Sequence, residues 1–315
     1  MQHSGVFTRQ ELDRYFASYV GMEGGNPRAP VWICDRSPRA WLEPLVAPLQ
    51  PRVAPPAWDA EFRHQQRENM GKWLGHQYIA RIMAAARAEA LRVRLADNDW
   101  EQYYWRHLYA PGGAEFRLSL YPLPAQLDGR TPWSKAFRGQ PELVPQTRYE
   151  DLCRHGERFR FLAKTCARWR PKVVVCLGHR HTDEYLEAFS LGGLASEEHA
   201  IQPADQVRRL RIFARDGTTW IICPALGGSA GLISQVQLDA FGKLLGTRLA
   251  ASDFKHCLDL DPVDNAPWAQ LEVLPDPYRR SQLPADAAGC HTEEGARPVF
   301  PSSEHAQAGT RESFA

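Results

Sequence analysis

Four apolar runs decide the fold of this chain: Val31-Trp32-Ile33-Cys34, Phe116-Arg117-Leu118-Ser119-Leu120-Tyr121, Val173-Val174-Val175-Cys176-Leu177 and Trp220-Ile221-Ile222-Cys223. Each run is short and continuous, and each is followed by a glycine, a proline or a charged residue. Strands that are buried on both faces of a parallel sheet carry such mainly apolar runs. The four runs therefore predict four buried strands of a mainly parallel sheet.

Stretches that favour helices lie between the predicted strands. Residues 61–94 are rich in alanine, and residues 156–169 and 231–249 repeat apolar side chains with helical spacing. Alternating strands and helices predict an α/β protein, here a three-layer α/β/α sandwich around a four-stranded sheet. We expect residues 1–280 to form this single domain, with a helical insertion around residues 55–110. The apolar faces predicted for the last two helices are Phe159, Leu162, Ala163 and Cys166, and Ile233, Val236, Ala240, Phe241, Leu244 and Leu245.

Composition places the chain among ordinary globular proteins. Of its 315 residues, 43% are hydrophobic and 24% are charged, which supplies enough apolar material for a sizeable core. The 7 cysteines include no Cys-x-x-Cys pair, which argues against a disulfide framework and against a four-cysteine metal site. No segment resembles a signal peptide or a membrane span. We therefore expect a cytoplasmic monomer without a metal, a cofactor or a membrane partner.

Charge is divided unevenly along the chain. Residues 1–250 carry a net charge of +7 and residues 251–315 carry −6. A basic body indicates a polyanionic partner such as DNA, although a solvated surface accounts for the same charges. Residues 281–315 are rich in Pro, Ala, Ser, Glu and Gly and show no periodicity, so we predict a disordered tail there.

Four loops follow the predicted strands and bring polar side chains to one edge of the sheet. The carboxyl ends of parallel strands share an edge, and sheets of this kind bind ligands there. The fourth loop is a Gly/Ser-rich turn that either presents amides to a phosphate or only connects strand to helix. The loops are Asp35-Arg36-Ser37-Pro38-Arg39, Tyr121-Pro122-Leu123-Pro124, Gly178-His179-Arg180-His181 and Pro224-Ala225-Leu226-Gly227-Gly228-Ser229-Ala230-Gly231.

The order of these segments resembles that of the uracil-DNA glycosylase superfamily over residues 28–246. The first strand with Asp35-Arg36-Ser37-Pro38 is similar to the first motif of that superfamily, and Leu118-Ser119-Leu120-Tyr121-Pro122 is similar to its second strand. Residues 171–178 resemble its third strand, and Cys223-Pro224-Ala225 falls where the family has His-Pro-Ser. The resemblance implies hydrolysis of the N-glycosidic bond of a base flipped out of double-stranded DNA, which leaves an abasic site.

The chain departs from the family at three positions. Ser37 stands at the position of the water-activating aspartate, Ser119 at that of the base-reading asparagine, and Cys223 at that of the histidine. We expect Ser119, Cys223, Tyr121 and Ala225 to line the base pocket. Ser119, Ala225, Gly227 and Gly228 are small, so a pocket that they line favours a bulky modified base. In this respect the chain resembles bacterial antiphage glycosylases of this superfamily that excise glucosylated 5-hydroxymethylcytosine from phage DNA.

Asp35 is the carboxylate best placed for catalysis, because it ends a buried strand. The transition state of glycosidic hydrolysis resembles an oxocarbenium ion, which a nearby carboxylate stabilises. The alternative role of Asp35 is an N-cap for a helix that begins at Ser37. Ser37, the second catalytic candidate, is otherwise a cap or a phosphate ligand. Glu23 reaches the same edge only if its glycine-rich turn folds over it, and a plain turn before the first strand is the alternative.

DNA contacts are expected from the loops and from basic helical stretches. Leu226 or Leu232 is a candidate wedge where the base leaves the duplex, with core packing as the alternative for either. Tyr121 either stacks on the flipped base or fills the core, and the two histidines either bind phosphate or form a surface pair. Arg160, Lys164 and Arg168 form a basic stripe that would add salt-dependent affinity. The loop candidates for DNA binding are Arg36, Arg39, His179, His181, Leu226, Gly228 and Ser229.

Two rival functions compete with the glycosylase. One is a catalytically inactive DNA-binding protein of the same fold, which the three departures permit. The other is a serine hydrolase, because Gly227-Gly228-Ser229-Ala230-Gly231 matches the Gly-x-Ser-x-Gly pattern, with Asp253 and His256 downstream. A dinucleotide-binding protein is disfavoured, because no Gly-x-Gly-x-x-Gly follows any strand.

Overall fold

A mixed seven-stranded sheet forms the centre of the protein. The computed structural model describes residues 5–38, 45, 48–124, 131–203 and 207–257, which all belong to one unit, residues 1–265. The predicted tail from residue 281 and the DNA-binding candidate Arg39 lie outside the described residues. The strands are β1 (Gly24–Gly25), β2 (Val31–Asp35), β3 (Glu115–Ser119), β4 (Val173–Leu177), β5 (Glu197–Ile201), β6 (Arg208–Arg215) and β7 (Thr218–Cys223).

The four predicted strands are neighbours at the centre of this sheet. The strand order is β1-β3-β2-β4-β7-β6-β5, and the pairings from β3 through β2 and β4 to β7 are all parallel. The prediction of four strands was wrong in number, because β1, β5 and β6 add antiparallel pairings at the two sides. The fold is thus α/β with a mixed sheet that contains a parallel core of four strands.

The three additional strands lack continuous apolar runs. β1 is only a pair of glycines, and most side chains of β5 are exposed. In β6 a buried leucine, Leu210, and a buried isoleucine, Ile212, alternate with more exposed arginines. An Asp216-Gly217 turn with φ of 51° and 82° joins β6 to β7. This alternation and the Asp-Gly turn are a hairpin signal that the search for continuous runs missed.

Helices cover both faces of the sheet in the described residues. They are α1 (Arg9–Phe16), α2 (Ala60–Met70), α3 (Leu74–Leu91), α4 (Asp99–Gln102), α5 (Trp133–Ala136), α6 (Gln146–His155), α7 (Glu157–Trp169), α8 (Thr182–Ala188) and α9 (Gln235–Gly246). A π-helical turn covers Tyr103–His107, and 3-10 turns cover His179–His181 and Ala251–Cys257. None of these helices is both long enough and apolar enough to cross a membrane.

Two hydrophobic cores lie on opposite faces of the sheet, because successive strand residues point in opposite directions. Trp32 and Cys34 of β2 join the core formed with α1, α6, α7 and α8. Val31 and Ile33 join the core formed with α2, α3 and α9. The order of layers is therefore helices, sheet, helices.

Helix α9 packs closely along α3, and the predicted face is only partly correct, because Phe241 and Leu245 are fully buried as predicted but two of its residues are not. Ile233 precedes the helix and is 42% exposed, and Val236 is 51% exposed. The buried side includes Gly242 and Gly246, and a Cβ at Gly242 would lie 2.3 Å from the Ile82 carbonyl oxygen. These glycines let the two helices approach, so small residues rather than large ones define the contact. In α7, by contrast, Phe159, Leu162 and Cys166 are buried as predicted.

Arg158 ties the segment after α1 to the end of β3. Its side chain is 0% exposed, although no carboxylate accepts from it in the hydrogen bonds described. Its guanidinium donates to the carbonyl oxygens of Ser119, Leu120, Phe16, Ser18 and Val20 at 2.5, 2.9, 3.3, 3.0 and 3.2 Å. Burial lowers the pKa of Arg158 to about 10, so it remains charged at neutral pH. This arginine fixes the position of the chain that leads into β1.

Candidate functional site

The carboxyl ends of the four parallel strands meet at one edge of the sheet. We call this edge the rim and define it as residues 35–38, 119–124, 178–181 and 223–231, together with Glu23. The backbone joins these segments directly: Leu120 N–H donates to the Asp35 carbonyl, and Gly178 N–H donates to the Cys223 carbonyl. The rim therefore gathers the loop residues that the sequence analysis singled out, apart from Arg39.

Asp35 is held at the rim through both carboxylate oxygens. Oδ2 accepts from Nη2 of Arg117 at 3.0 Å, and Oδ1 accepts from the N–H of Arg36 at 2.9 Å. The latter bond goes to the adjacent residue, not to the second or third residue of a helix as an N-cap bond would. The side chain remains 23% exposed. Asp35 thus presents an oriented carboxylate that solvent can reach.

Arg117 is the residue that organises this end of the site, and the sequence analysis missed its role. Its side chain is 1% exposed, and Nε lies 2.5 Å from Oε2 of Glu23. Burial alone would lower the pKa of Arg117, but the charges of Glu23 and Asp35 hold it above its ordinary value. A charged residue inside an apolar strand was the available signal, because buried arginines require partners.

Glu23 reaches the rim because its turn pairs alongside β3 as an edge strand. Its N–H donates to the Arg117 carbonyl at 3.2 Å, and the two following glycines pair with β3 as β1. Gly25 has φ of +96°, and a Cβ there would lie 2.3 Å from the Glu115 carbonyl oxygen. Glycine is therefore required for this close approach. The plain turn that the sequence analysis also considered is thus not what the glycines form.

A histidine that the sequence analysis did not select stands behind Glu23. Nε2 of His76 lies 3.7 Å from Oε2 of Glu23, and Nδ1 lies 3.4 Å from the hydroxyl of Tyr109. The imidazole packs against the rings of Trp58 and Trp73, with centroids 5.0 and 5.7 Å away. His76 lies 53 positions from Glu23 in the chain, and no sequence motif connects them.

Arg36 pairs with two carboxylates on the other side of the rim. It lies 2.8 Å from Glu150 of α6 and 3.0 Å from Glu184 of α8, and its guanidinium stacks over Tyr121 at 4.7 Å. Burial alone would lower the pKa of Arg36, but the hydrogen bonds to the two glutamates raise it. A DNA phosphate would have to compete with both carboxylates for this arginine. The neighbouring Ser37 is half-buried.

The two histidines after β4 also make bonds within the protein. Nε2 of His179 lies 3.2 Å from the carbonyl oxygen of Ile222, and Nδ1 of His181 lies 3.3 Å from Glu184. Both side chains are partly exposed. They therefore lie at the rim as predicted, and one imidazole nitrogen of each lies close to an oxygen of the protein.

The four predicted pocket residues differ in accessibility. Ser119 and Cys223 are 0% exposed and Tyr121 is 1% exposed, whereas Ala225 is exposed. The hydroxyl oxygens of Ser119 and Tyr121 are buried without a hydrogen-bond partner among the described residues. Burial also raises the pKa of both Tyr121 and Cys223. A base could touch these three side chains only if the rim opened.

The Gly/Ser-rich loop after β7 is exposed around a buried leucine. Leu226 is 5% exposed and belongs to the core, so it does not project as a wedge, whereas Gly228 and Ser229 are exposed. Gly228 has φ of +73°. Arg208 of β6 donates to the carbonyl oxygens of Ser229 and Gly231 at 3.1 and 3.2 Å, which fixes the turn.

The structure does not support a serine hydrolase. Ser229 follows β7 in a loop and precedes α9 by 6 residues, so no sharp strand-to-helix elbow carries it. The candidate acid Asp253 lies 2.8 Å from Lys172, which immediately precedes β4 at the opposite edge of the sheet. The two parts of the proposed triad are therefore on different sides of the molecule.

The basic stripe on α7 is exposed as predicted. Arg160, Lys164 and Arg168 all face solvent, although Arg160 pairs with Glu157 at 2.9 Å and Arg168 stacks on Trp169. No group of three or more His, Cys, Asp or Glu side chains that could hold a metal ion occurs among the described residues.

Comparison of the chain with protein-family models, with curated proteins and with solved structures gives no match. The functional assignment therefore depends on the chemistry of the rim and on the motif resemblance.

Proposed function

We propose that this chain is a monofunctional DNA glycosylase that hydrolyses the N-glycosidic bond of a flipped base, with Asp35 as its catalytic carboxylate. The observation that carries the proposal is the placement of Asp35. It ends the first strand of four parallel strands, both of its oxygens are fixed by hydrogen bonds, and 23% of its side chain is exposed. From the resemblance to the uracil-DNA glycosylase superfamily we expect a functional group at this strand end.

Hydrolysis of an N-glycosidic bond requires little nucleophilic power from the protein. The bond between C1′ and the base nitrogen breaks, its electron pair leaves with the base, and the sugar becomes oxocarbenium-like. The negative charge of Asp35 stabilises this cation, and its carboxylate accepts the proton of the water that attacks C1′. The departing base anion takes up a proton from solvent and Asp35 releases the proton that it accepted, so an abasic site and a neutral free base are the products.

The substrate we propose is double-stranded DNA with a bulky modified base, and glucosylated 5-hydroxymethylcytosine of phage DNA is the first to test. Ala225 and the exposed glycines of the last loop leave no large side chain on that part of the rim. The arginines and lysines of residues 1–250, including the exposed stripe on α7, supply charge for the phosphate backbone. Antiviral defence in the cytoplasm, by a monomer, is the setting that this substrate suggests.

The test is base release from a panel of DNAs that contain uracil, unmodified cytosine, 5-hydroxymethylcytosine or its glucosylated form. Abasic sites are detected by alkaline strand cleavage with wild type, Asp35→Asn and Asp216→Asn. Asp216 is a matched control, because it is an aspartate whose side chain is 87% exposed in the turn at the opposite edge of the sheet.

We expect cleavage of one modified DNA by the wild type and by Asp216→Asn, and loss of cleavage in Asp35→Asn. Equal cleavage by all three proteins would remove Asp35 from the mechanism. Salt-sensitive binding without abasic sites on any DNA would favour the inactive DNA-binding protein instead.

A further inference from the structure

A charged guanidinium lies inside the sheet at the centre of the candidate site. Arg117 is the third residue of β3 and its side chain is 1% exposed. Buried ion pairs add little net stability, because the cost of removing both charges from water offsets their attraction. An apolar residue would satisfy this core position, so the retained charge calls for another role.

The two carboxylates on Arg117 come from different parts of the chain. Glu23 precedes β1 and approaches Nε, whereas Asp35 ends β2 and accepts from Nη2. The side chains of Glu23 and Asp35 are 14% and 23% exposed, so both reach the surface that Arg117 does not. The guanidinium therefore sets where the two carboxylates stand relative to each other.

Glu23 is itself fixed on several sides. Its N–H donates to the Arg117 carbonyl at 3.2 Å, and its carbonyl accepts from Nε1 of Trp58 at 3.2 Å. His76 lies 3.7 Å from the same carboxylate oxygen that contacts Arg117. Rigid supports of this kind keep a reacting group in its productive orientation.

We propose that Arg117 is the positioning residue for Asp35 and that Glu23 is the counter-charge that orients Arg117. This inference rests on the proposed function and names the residues that hold its reacting carboxylate. Arg117 is too buried to touch a substrate, so it acts through Asp35. The negative charge of Glu23 lies 2.5 Å from Nε and attracts the second side of the guanidinium, which opposes its turning away from Asp35.

The first test compares base release by Arg117→Met, Arg117→Lys, Glu23→Gln and Asp35→Ala, with Arg63→Met as the control. Arg63 is also a buried arginine, 6% exposed, and it donates to backbone carbonyls of residues 104, 105 and 108. We expect Arg117→Met to lower kcat by at least about 10-fold with KM within about twofold, because a misplaced group affects the chemical step. Arg117→Lys keeps the positive charge but lacks the planar guanidinium, so we expect its kcat to lie between those of wild type and Arg117→Met.

Rescue by added formate distinguishes the role of the Asp35 carboxylate from that of the residue that positions it. In Asp35→Ala a small carboxylate can enter the vacated volume, so formate restores part of the activity. In Arg117→Met the Asp35 side chain still occupies that volume, so formate restores none. The proposal is overturned if Arg117→Met retains kcat within about twofold of wild type, or if it loses no more activity than Arg63→Met.

A thermal-unfolding cycle tests the pair without any substrate. Glu23→Gln and Asp35→Asn each leave Arg117 one carboxylate, and the double variant leaves it none. We expect the double variant to lower Tm by more than the sum of the single changes, and Arg117→Met to abolish this excess. If the changes in Tm are additive, the proposed coupling of Glu23 and Asp35 through Arg117 is overturned, whatever activity the variants show. If no DNA releases a base but the Tm changes are non-additive, only the proposed function is overturned.

Discussion

Glu115, at the start of β3, gives the protein a pH dependence that a single substitution removes. Its carboxylate is 0% exposed and accepts from the Tyr103 hydroxyl and from the Tyr109 N–H, both at 2.6 Å. Burial raises its pKa from 4.5 to about 7, although both hydrogen bonds oppose this shift. Between these two values the folded protein binds a proton that the unfolded chain has released.

The sign and size of the effect follow from this difference. Because the folded state binds more protons, the free energy of unfolding falls as the pH rises from 4.5 to 7. A pKa of about 7 in the folded state instead of 4.5 in the unfolded state lowers the free energy of unfolding by about 3 kcal/mol over the whole titration. In Glu115→Gln the amide keeps both hydrogen bonds, with its oxygen accepting from Tyr109 and its nitrogen donating to Tyr103, and it does not titrate.

The assay is urea unfolding of wild type and Glu115→Gln at pH 5.0 and pH 7.5. We expect the wild type to lose about 2 kcal/mol relative to the variant between these pH values. His107 shifts oppositely, because burial and nearby arginines lower its pKa to about 4, and it therefore destabilises the fold as the pH falls. His107 is common to both proteins and cancels in the comparison. If the difference in unfolding free energy between wild type and Glu115→Gln is the same at pH 5.0 and pH 7.5, the reasoning is refuted.

Three further substitutions test other parts of the account. Arg158→Met leaves five buried carbonyls without their shared donor, so we expect a loss of about 3–5 kcal/mol in urea unfolding, against less than about 0.5 kcal/mol for the exposed Arg160→Met. Gly25→Ala places a Cβ 2.3 Å from the Glu115 carbonyl oxygen, so we expect a lower Tm by calorimetry, and an unchanged Tm would contradict the close approach. Ser229→Ala leaves the rate of base release unchanged, whereas a loss of more than about 100-fold would revive a nucleophilic serine.

The central part of the fold could be predicted because it is encoded locally. Four mainly apolar runs are recognisable one at a time, and buried parallel strands carry such runs. The added strands escaped because β1 is only two residues long and β5 and β6 have polar exposed faces. The predicted face of α9 was right at Phe241 and Leu245 and wrong at Ile233 and Val236. It also missed Gly242 and Gly246 at the contact with α3, because a search for large apolar residues ignores glycine.

The candidate site was predictable only in part, for a related reason. Asp35 could be selected because it directly follows a recognisable strand. The partners of Asp35 could not, because Arg117 is 82 positions away and contacts it only through the pairing of β2 with β3. Glu23 was considered but not chosen, since its position depends on how two glycines pair. Ser119 and Cys223 are buried, which no motif comparison reveals.

The most direct test of the proposed reaction is the single-turnover rate at which free base leaves modified DNA, measured by mass spectrometry for wild type and Asp35→Asn. The account predicts release of one modified base by the wild type and a rate at least about 100-fold lower for the variant. Equal rates, or no free base from any DNA in the panel despite salt-sensitive binding, would contradict it.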